Sequence, residues 1–388
     1  MDKKSKQKNR SSLIFIQPAY AHYRKDLFNK LHEKFNVLFV FLRGNSPYPS
    51  SDKPNEKWKS ICLHSESNPY WMFTLLKILL TKEYEVIVSS IAVSSQTFIS
   101  FLMAKCLKRK IVIWNIAWMD TYKHSTRPKP YRIFKTIQER CVVKNADSVV
   151  VSGSASLKYH IRMGIPEKRI FIANQSVQGA NGIEINTKFK EELSIEETFV
   201  ILYLSRIMYL KGLDILIRAF HLLEKKKKNI FLLIGGNGDY KTVCENLSKT
   251  LNIKKIKFIG AVPNEKIYDY FHISDIFVLP SCIKRGQTEA WGLVLNEALS
   301  AKKPVITTDA VGAAQDLVVN GINGYVVKNN NVDEMYGALK KIIDGGKNGI
   351  KKMGKNSRKK FEEFNDYKKM FSGFEQAILY SLKESKRR

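Results

Sequence analysis

What most constrains the fold is an alternation that runs along the chain and then starts again. In the first half the short runs LIFIQ (13–17), VLFVFL (37–42), EVIVSS (85–90), IVIWN (111–115) and DSVVVS (147–152) are apolar at consecutive positions. Such strands are buried on both faces, as in a parallel sheet whose crossover helices cover both sides. The helical patterns between them lie near 24–34, 71–81, 94–107, 130–145 and 154–163. The alternation restarts with TFVILYL (198–204), IFLLIG (230–235), IKFIG (256–260), IFVLP (276–280), PVIT (304–307) and GYVV (324–327). Its helices are expected near 211–225, 239–251, 264–272, 292–301 and 332–343. The pattern predicts an α/β chain of two tandem Rossmann-like, doubly wound domains.

A polar, turn-rich segment at 174–197 marks the boundary. The expected division is a first domain over 1–180, a second over 181–350, and a basic helical tail over 351–388 that returns to pack on the first. Open parallel sheets bind ligands at the carboxyl ends of their strands, so with two such sheets a cleft between them is the expected site.

Charge separates these parts. The 388-residue chain has 65 Lys plus Arg against 36 Asp plus Glu, a formal net charge of +29. Residues 1–180 hold 30 basic and 12 acidic side chains, 181–346 hold 22 and 19, and 347–388 hold 13 and 5. A basic surface attracts nucleic acid or anionic membrane, although a lysine-rich composition also serves solubility alone. Neither basic-aromatic interleaving nor a nucleic-acid module is found, so no nucleic-acid partner is expected. The five cysteines (62, 106, 141, 244, 282) show no CxxC spacing, which argues against a zinc site or a disulfide framework and fits a cytoplasmic protein. The apolar run LIFI after the basic start is too short for a signal segment, and no run of 18 apolar residues is present. The longest approach to one, YWMFTLLKILL (70–80), is interrupted by Lys77 and reads foremost as a core helix, with an interfacial helix as the alternative.

The chemistry is sought where strands end. After strand 198–204 come Arg206 and Lys211, just ahead of an amphipathic helix. Two cations beside helix N-terminal amides suit a diphosphate; solvated surface cations are the alternative. After strand 230–235 comes GGNG, where Gly236 permits close backbone approach to a ligand or makes a plain tight turn. After IFVLP a loop leads to TEAWGLVLNEALS (288–300). If 291–299 is helical, Glu289 sits at the helix mouth and Glu297 about two turns in, at most roughly 12 Å away along the axis. The free amides of Gly292, Leu293 and Val294 would lie between the carboxylates. An acid, an anion pocket and a second acid suit a ligand with hydroxyls at both ends and phosphate between, such as a nucleotide-sugar. Gly312, in TDAVGAAQ, follows another strand.

Taken together, SRIMYLKG, GGNG, EAWGLVLNEALSAKKPVI and NGINGYVV, in that order over about 199–327, resemble the donor domain of GT-B fold retaining glycosyltransferases of the family 4 type, the glycosyl transferases group 1. The resemblance implies that Glu289 bonds donor-sugar hydroxyls and Glu297 the ribose. Arg206 and Lys211 neutralise the leaving diphosphate, and amides at Gly292 and Leu293 hold phosphate. It implies no metal, with cations and a helix N-terminus in its place, and no cofactor beyond the nucleotide-sugar substrate. The alternative within the fold is another reaction, such as a phosphorylase or a sugar-nucleotide epimerase.

The first half matches more loosely, mainly over 147–177. Its first βα loop reads QPAYAHYRKDLF (17–28), without the paired glycines of many members. The loop after the fourth strand, WNIAWMDTYKHST (114–126), has its histidine far along, so His22, Asp120 and His124 stand as candidates only. In GT-B enzymes the first domain holds the acceptor, and here the charge excess lies in that domain and the tail. The expectation is a glycan or lipid-linked acceptor, met by a peripheral protein on the anionic inner face of the cell membrane.

Overall fold

The apolar runs of the first half form parallel strands in a computed structural model that describes residues 10–43, 57–122, 125–180 and 199–383, with 182, 184, 186, 189–193 and 195 of the connector. These strands are β1 (Ser12–Ala19), β2 (Asn36–Arg43), β3 (Lys59–Cys62), β4 (Val86–Ser90), β5 (Lys110–Trp114), β6 (Ser148–Val151) and β7 (Ile170–Ile172). Their order is β3-β2-β1-β4-β5-β6-β7, so the chain builds outward from β1 on one side and then crosses to the other. Between them run α1 (Lys25–Lys34), α2 (Trp71–Thr81), α3 (Ser95–Cys106), α4 (Lys129–Asn145) and α5 (Ser154–Arg162). The periodicity missed β3 and β7. Both are short edge strands with half-exposed residues, and an edge strand need not be apolar throughout.

Alternate strand residues feed two cores. Ile14, Ile16, Ile87 and Ile113 pack against α2, α3 and α4. Leu13, Phe15, Val88 and Trp114 pack against α1 and a helix from the far end of the chain. The helix α2 differs from the expected core helix: Leu75, Ile78 and Leu79 turn inward, while Tyr70, Met72, Phe73 and Leu80 stay exposed around it. No helix among the described residues is long and apolar enough to cross a membrane.

The second half repeats the plan with β8 (Phe199–Leu204), β9 (Ile230–Gly235), β10 (Ile256–Gly260), β11 (Ile276–Leu279), β12 (Val305–Thr308) and β13 (Gly324–Val327), ordered β10-β9-β8-β11-β12-β13 and all parallel. Its helices are α6 (Phe189–Glu192), α7 (Leu213–Glu224), α8 (Lys241–Thr250), α9 (Ile267–Ile273), α10 (Leu293–Ser300), α11 (Ala314–Leu317), α12 (Val332–Asp344) and α13 (Gly346–Phe364). In α7, Leu213, Leu216, Ile217 and Phe220 recur at helical spacing and are buried, which is what seats that helix on its sheet. The last helix, α14 (Tyr367–Lys383), lies on the first sheet, and its Ala377 carbonyl accepts from Ser148 Oγ at 3.0 Å. By contacts the chain divides into one unit of residues 1–175 with 366–388 and another of 176–365.

Candidate active site

In the second unit four strand-to-helix loops meet at the carboxyl ends of β8, β9, β11 and β12. The β8 loop turns through a 3-10 segment, Tyr209–Lys211, into Gly212 at φ +63°. A Cβ on Gly212 would lie 2.0 Å from the Pro280 carbonyl oxygen, so only glycine lets this loop lie on the end of β11. That approach sets Lys211 against the β11 loop. Its ammonium pairs with Glu289 Oε2, and both side chains are largely buried, at 12% and 17% exposure. Ser281 Oγ lies 3.5 Å from the same carboxylate oxygen. The motif reading missed Ser281, which has only its place just past a strand end to signal it. Arg206, in the same loop as Lys211, is exposed.

Backbone bonds fix Glu289 as well. Its N–H donates to the Ala310 carbonyl at 3.2 Å, and its own carbonyl accepts from Gly312 N–H at 2.9 Å. The suspicious Gly312 is thus tied to the loop that carries Glu289. Three residues on, Gly292 caps α10 at φ +92° and ψ +60° with no side-chain cap. The first amides of an α-helix have no intrahelical acceptor, so Gly292, Leu293 and Val294 present N–H groups and a positive helix end next to Glu289. Trp291 Nε1 donates to Asn296 Oδ1 at 2.9 Å in the interior and braces the start of the helix.

Glu297 lies on α10, half-buried, and burial pushes its carboxyl up to about 7. Its charge lies near Tyr268, whose hydroxyl is shifted upward by its own burial first and by Glu297 second. At neutral pH Glu297 is therefore part protonated, unlike an ordinary solvated glutamate. Gly236 has a local explanation. A Cβ there would stand 1.8 Å from the Ser205 carbonyl oxygen, so its glycine serves the packing of the β9 loop on the β8 loop.

The family model of glycosyl transferases group 1 matches residues 184–360, the whole of this site included. Over those residues, somewhat under half of the chain, it is similar to the group 1 glycosyltransferases. It is 26% identical to an uncharacterized glycosyltransferase of Haemophilus influenzae over 80% of this chain and 82% of that one. It is 27% identical to the capsular polysaccharide biosynthesis glycosyltransferase CapM of Staphylococcus aureus, over 61% of this chain and 62% of that protein. Among solved structures, Anabaena HepE in complex with UDP and glucose superposes with a TM-score of 0.76 at 15% identity, covering 95% of this chain and 99% of that one. The fold of the glycosyltransferase is therefore GT-B.

The first unit of the glycosyltransferase brings fewer of the candidates into view. The His22 side chain and all of His124 lie outside the described residues. Asp120, half-buried beyond β5, accepts from the Tyr122 N–H at 3.1 Å. The sequence reading passed over a histidine that is buried in this unit. His160 Nδ1 lies 2.7 Å from the Ser156 carbonyl oxygen, and its Nε2 lies 3.1 Å from Asn115 Nδ2. Burial lowers its pKa to about 4, so it is a neutral ring. Asn115 also donates to Glu139 at 3.1 Å, and burial raises that carboxyl. The group braces the loop after β5, and its neutral His160 is a poor candidate for a general base near pH 7.

Proposed function

We propose that this glycosyltransferase moves a sugar, with retention of anomeric configuration, from a nucleotide-sugar to a glycan or lipid-linked acceptor in cell-surface polysaccharide or lipopolysaccharide-type biosynthesis. The observation that carries the reading is the buried Lys211–Glu289 pair beside the uncapped start of α10. A carboxylate that accepts hydroxyl bonds, a cation and a ring of free amides stand within one loop cluster, as a sugar diphosphate requires. Glu289 accepts from hydroxyls of the donor sugar. Lys211 and Arg206 take up the charge that develops on the departing diphosphate. The amides of Gly292, Leu293 and Val294 hold a phosphate, and Glu297 accepts from the ribose diol. Charge neutralisation then falls to these groups, and the proposal includes transfer without a metal ion.

Retention follows a front-face displacement in which the leaving diphosphate helps to deprotonate the acceptor hydroxyl. The protein's part is positioning and charge stabilisation. A lipid-linked acceptor would put the enzyme on the cytoplasmic side, peripheral to an anionic membrane. What supports this is the first unit's surface. Tyr131, Ile133, Phe134 and Ile137 of α4 are exposed like the apolar residues around α2, and Lys129, Arg140 and Lys144 stand beside them. Between residues 95 and 146 there are eleven basic side chains and two acidic ones, and of those two Asp120 is half-buried and Glu139 buried. Apolar and basic residues on one face suit the headgroup region of anionic lipid.

A panel of nucleotide-sugars, with UDP-sugars first, tests the donor reading by protection against thermal unfolding. A ligand at a hundred times its Kd adds about 2.7 kcal/mol, a shift of several degrees. No protection by any nucleotide-sugar or free nucleoside diphosphate ends the reading. Failure of anionic vesicles to bind the protein at low salt ends its membrane part.

A further inference from the structure

Three side chains near the carboxyl ends of the central strands of the first unit hold hydrogen-bonding capacity that nothing among the described residues uses. Gln17 is on β1, Ser90 on β4 and Trp114 on β5, three strands that neighbour one another. Register puts them level, with Ile16 opposite Ser89 and Ser90 opposite Trp114. Strand alternation sends all three to the face of Phe15, Val88 and Val112. They are buried, at 1%, 5% and 2% exposure.

Arg24, the uncapped N-cap residue of α1, reaches into this group. Its Nη1 donates to Gln17 Oε1 at 2.8 Å, and its guanidinium carbon lies 4.1 Å from the centre of the Trp114 ring. Phe374 holds that ring from the other helix, edge-on at 4.8 Å. Yet Arg24 Nε, Gln17 Nε2, Trp114 Nε1 and Ser90 Oγ are sealed from solvent without a partner among the described residues.

The chemistry of the four atoms is one-sided. Guanidinium and indole nitrogens only donate, and because Gln17 Oε1 faces a donor, its Nε2 is a donor too. Ser90 can donate as well. No carboxylate pairs with Arg24 among the described residues. Buried donors left unused are costly and uncommon. A water molecule would accept two of these bonds but bring two hydrogens of its own, and of the four atoms only Ser90 Oγ can accept one. An anion supplies acceptor atoms and the missing charge together, and the positive end of α1 favours it.

We propose that Gln17, Arg24, Ser90 and Trp114 form an anion-binding subsite that takes a phosphate or carboxylate group of the acceptor. Arg24, only half-buried, is the member through which the anion enters. This rests on the reading of the first unit as the acceptor side. It deepens that reading by making the acceptor a charged one.

The test follows the five tryptophan indole resonances of the full-length protein by proton–nitrogen NMR, with Trp114 identified by its loss in Trp114→Phe. Inorganic phosphate, acetate and a short-chain alkyl phosphate are titrated separately, without nucleotide. The Trp114 indole resonance is expected to move saturably with at least one of them. That response should weaken at least tenfold in Arg24→Gln, and also in Gln17→Glu, which supplies a built-in carboxylate beside the guanidinium. Movement with inorganic phosphate alone means that the free anion suffices, and movement confined to the alkyl phosphate means that the anion is read as part of a lipid; both support the subsite. No movement with any anion, or movement undiminished in both variants, overturns it and leaves water as the occupant. Nucleoside diphosphate affinity should be unchanged in Arg24→Gln. A tenfold loss there would assign the group to the donor and overturn the proposal. If wild-type protein responds to phosphate but binds no nucleotide, the donor reading fails and the subsite stands.

Discussion

The two units share one architecture and treat the ends of their strands in opposite ways. In the second, the polar groups beyond the strands satisfy one another: Lys211 pairs with Glu289, and the loop of Glu289 is bonded to the loop of Gly312. In the first, Gln17, Ser90 and Trp114 keep donors that nothing among the described residues takes up. The same parallel sheet can thus end in a closed polar circuit or in an open one. A closed circuit is kept in shape before its ligand comes and exchanges partners when it does. An open circuit carries a standing demand for a ligand of one charge sign.

The comparison breaks most decisively at Glu289. Glu289→Ala removes the carboxylate that would meet the donor sugar and frees Lys211 for the diphosphate. Turnover should fall by about 100-fold, in the range for loss of one preorganised charge-stabilising contact. Nucleotide affinity, measured by calorimetry, should stay within about threefold. Equal losses in both would show that Glu289 holds the nucleotide and not the reacting sugar.

Gly212 tests whether the circuit depends on backbone approach. Gly212→Ala forces a Cβ onto the Pro280 carbonyl at a left-handed φ. A cost of about 2 kcal/mol is expected, seen as a Tm lower by roughly 4 °C. Loss of nucleotide protection should accompany it, because Lys211 is the preceding residue. Retained stability would mean that the two loops can separate freely.

The residues of the closed circuit were legible in the sequence, though not their pairing with one another, and those of the open one were not, for reasons of chain distance. Glu289, Gly292 and Glu297 lie within nine residues, and Arg206 and Lys211 within six, so loop and helix spacing alone brings each set together. The strand cores were legible for a similar reason, since a two-sided buried strand shows as an unbroken apolar run. Gln17, Ser90 and Trp114 are separated by scores of residues, and only sheet register makes them neighbours. Gln17 and Arg24 even sat inside the loop QPAYAHYRKDLF, where the missing glycines drew notice and the arginine did not. The outer face of α2 escaped for another reason. Its apolar residues surround the helix, so periodicity could not say which side was covered.

Arg206 sharpens the contrast between buried and solvated charge within the loops of the second unit. It is exposed where Lys211 is enclosed. Water screens its attraction for a diphosphate, so Arg206→Ala should weaken nucleotide affinity and turnover together by about tenfold, with less effect at high salt. A 100-fold loss would mean that ligand binding buries it.

The smallest expected effect comes from Glu297, and it carries two signs. Its carboxyl is pushed up to about 7 by burial, so the folded protein holds this proton more tightly than the unfolded chain. Stability from this group is full below the unfolded carboxylate range, falls as pH rises toward about 7, and is level above it. Glu297→Gln should remove that slope and raise Tm by a degree or two at about pH 8. Nucleotide binding should run the other way, because ribose hydroxyls donate best to the ionised carboxylate. Wild-type affinity is expected to fall about threefold from about pH 8 to about pH 6, since a protonated carboxyl keeps one good acceptor oxygen. The Gln variant should bind weakly and without that dependence. If stability and affinity instead moved together with pH, Glu297 would be a structural carboxyl of α10, and the ribose would have to be held by another group.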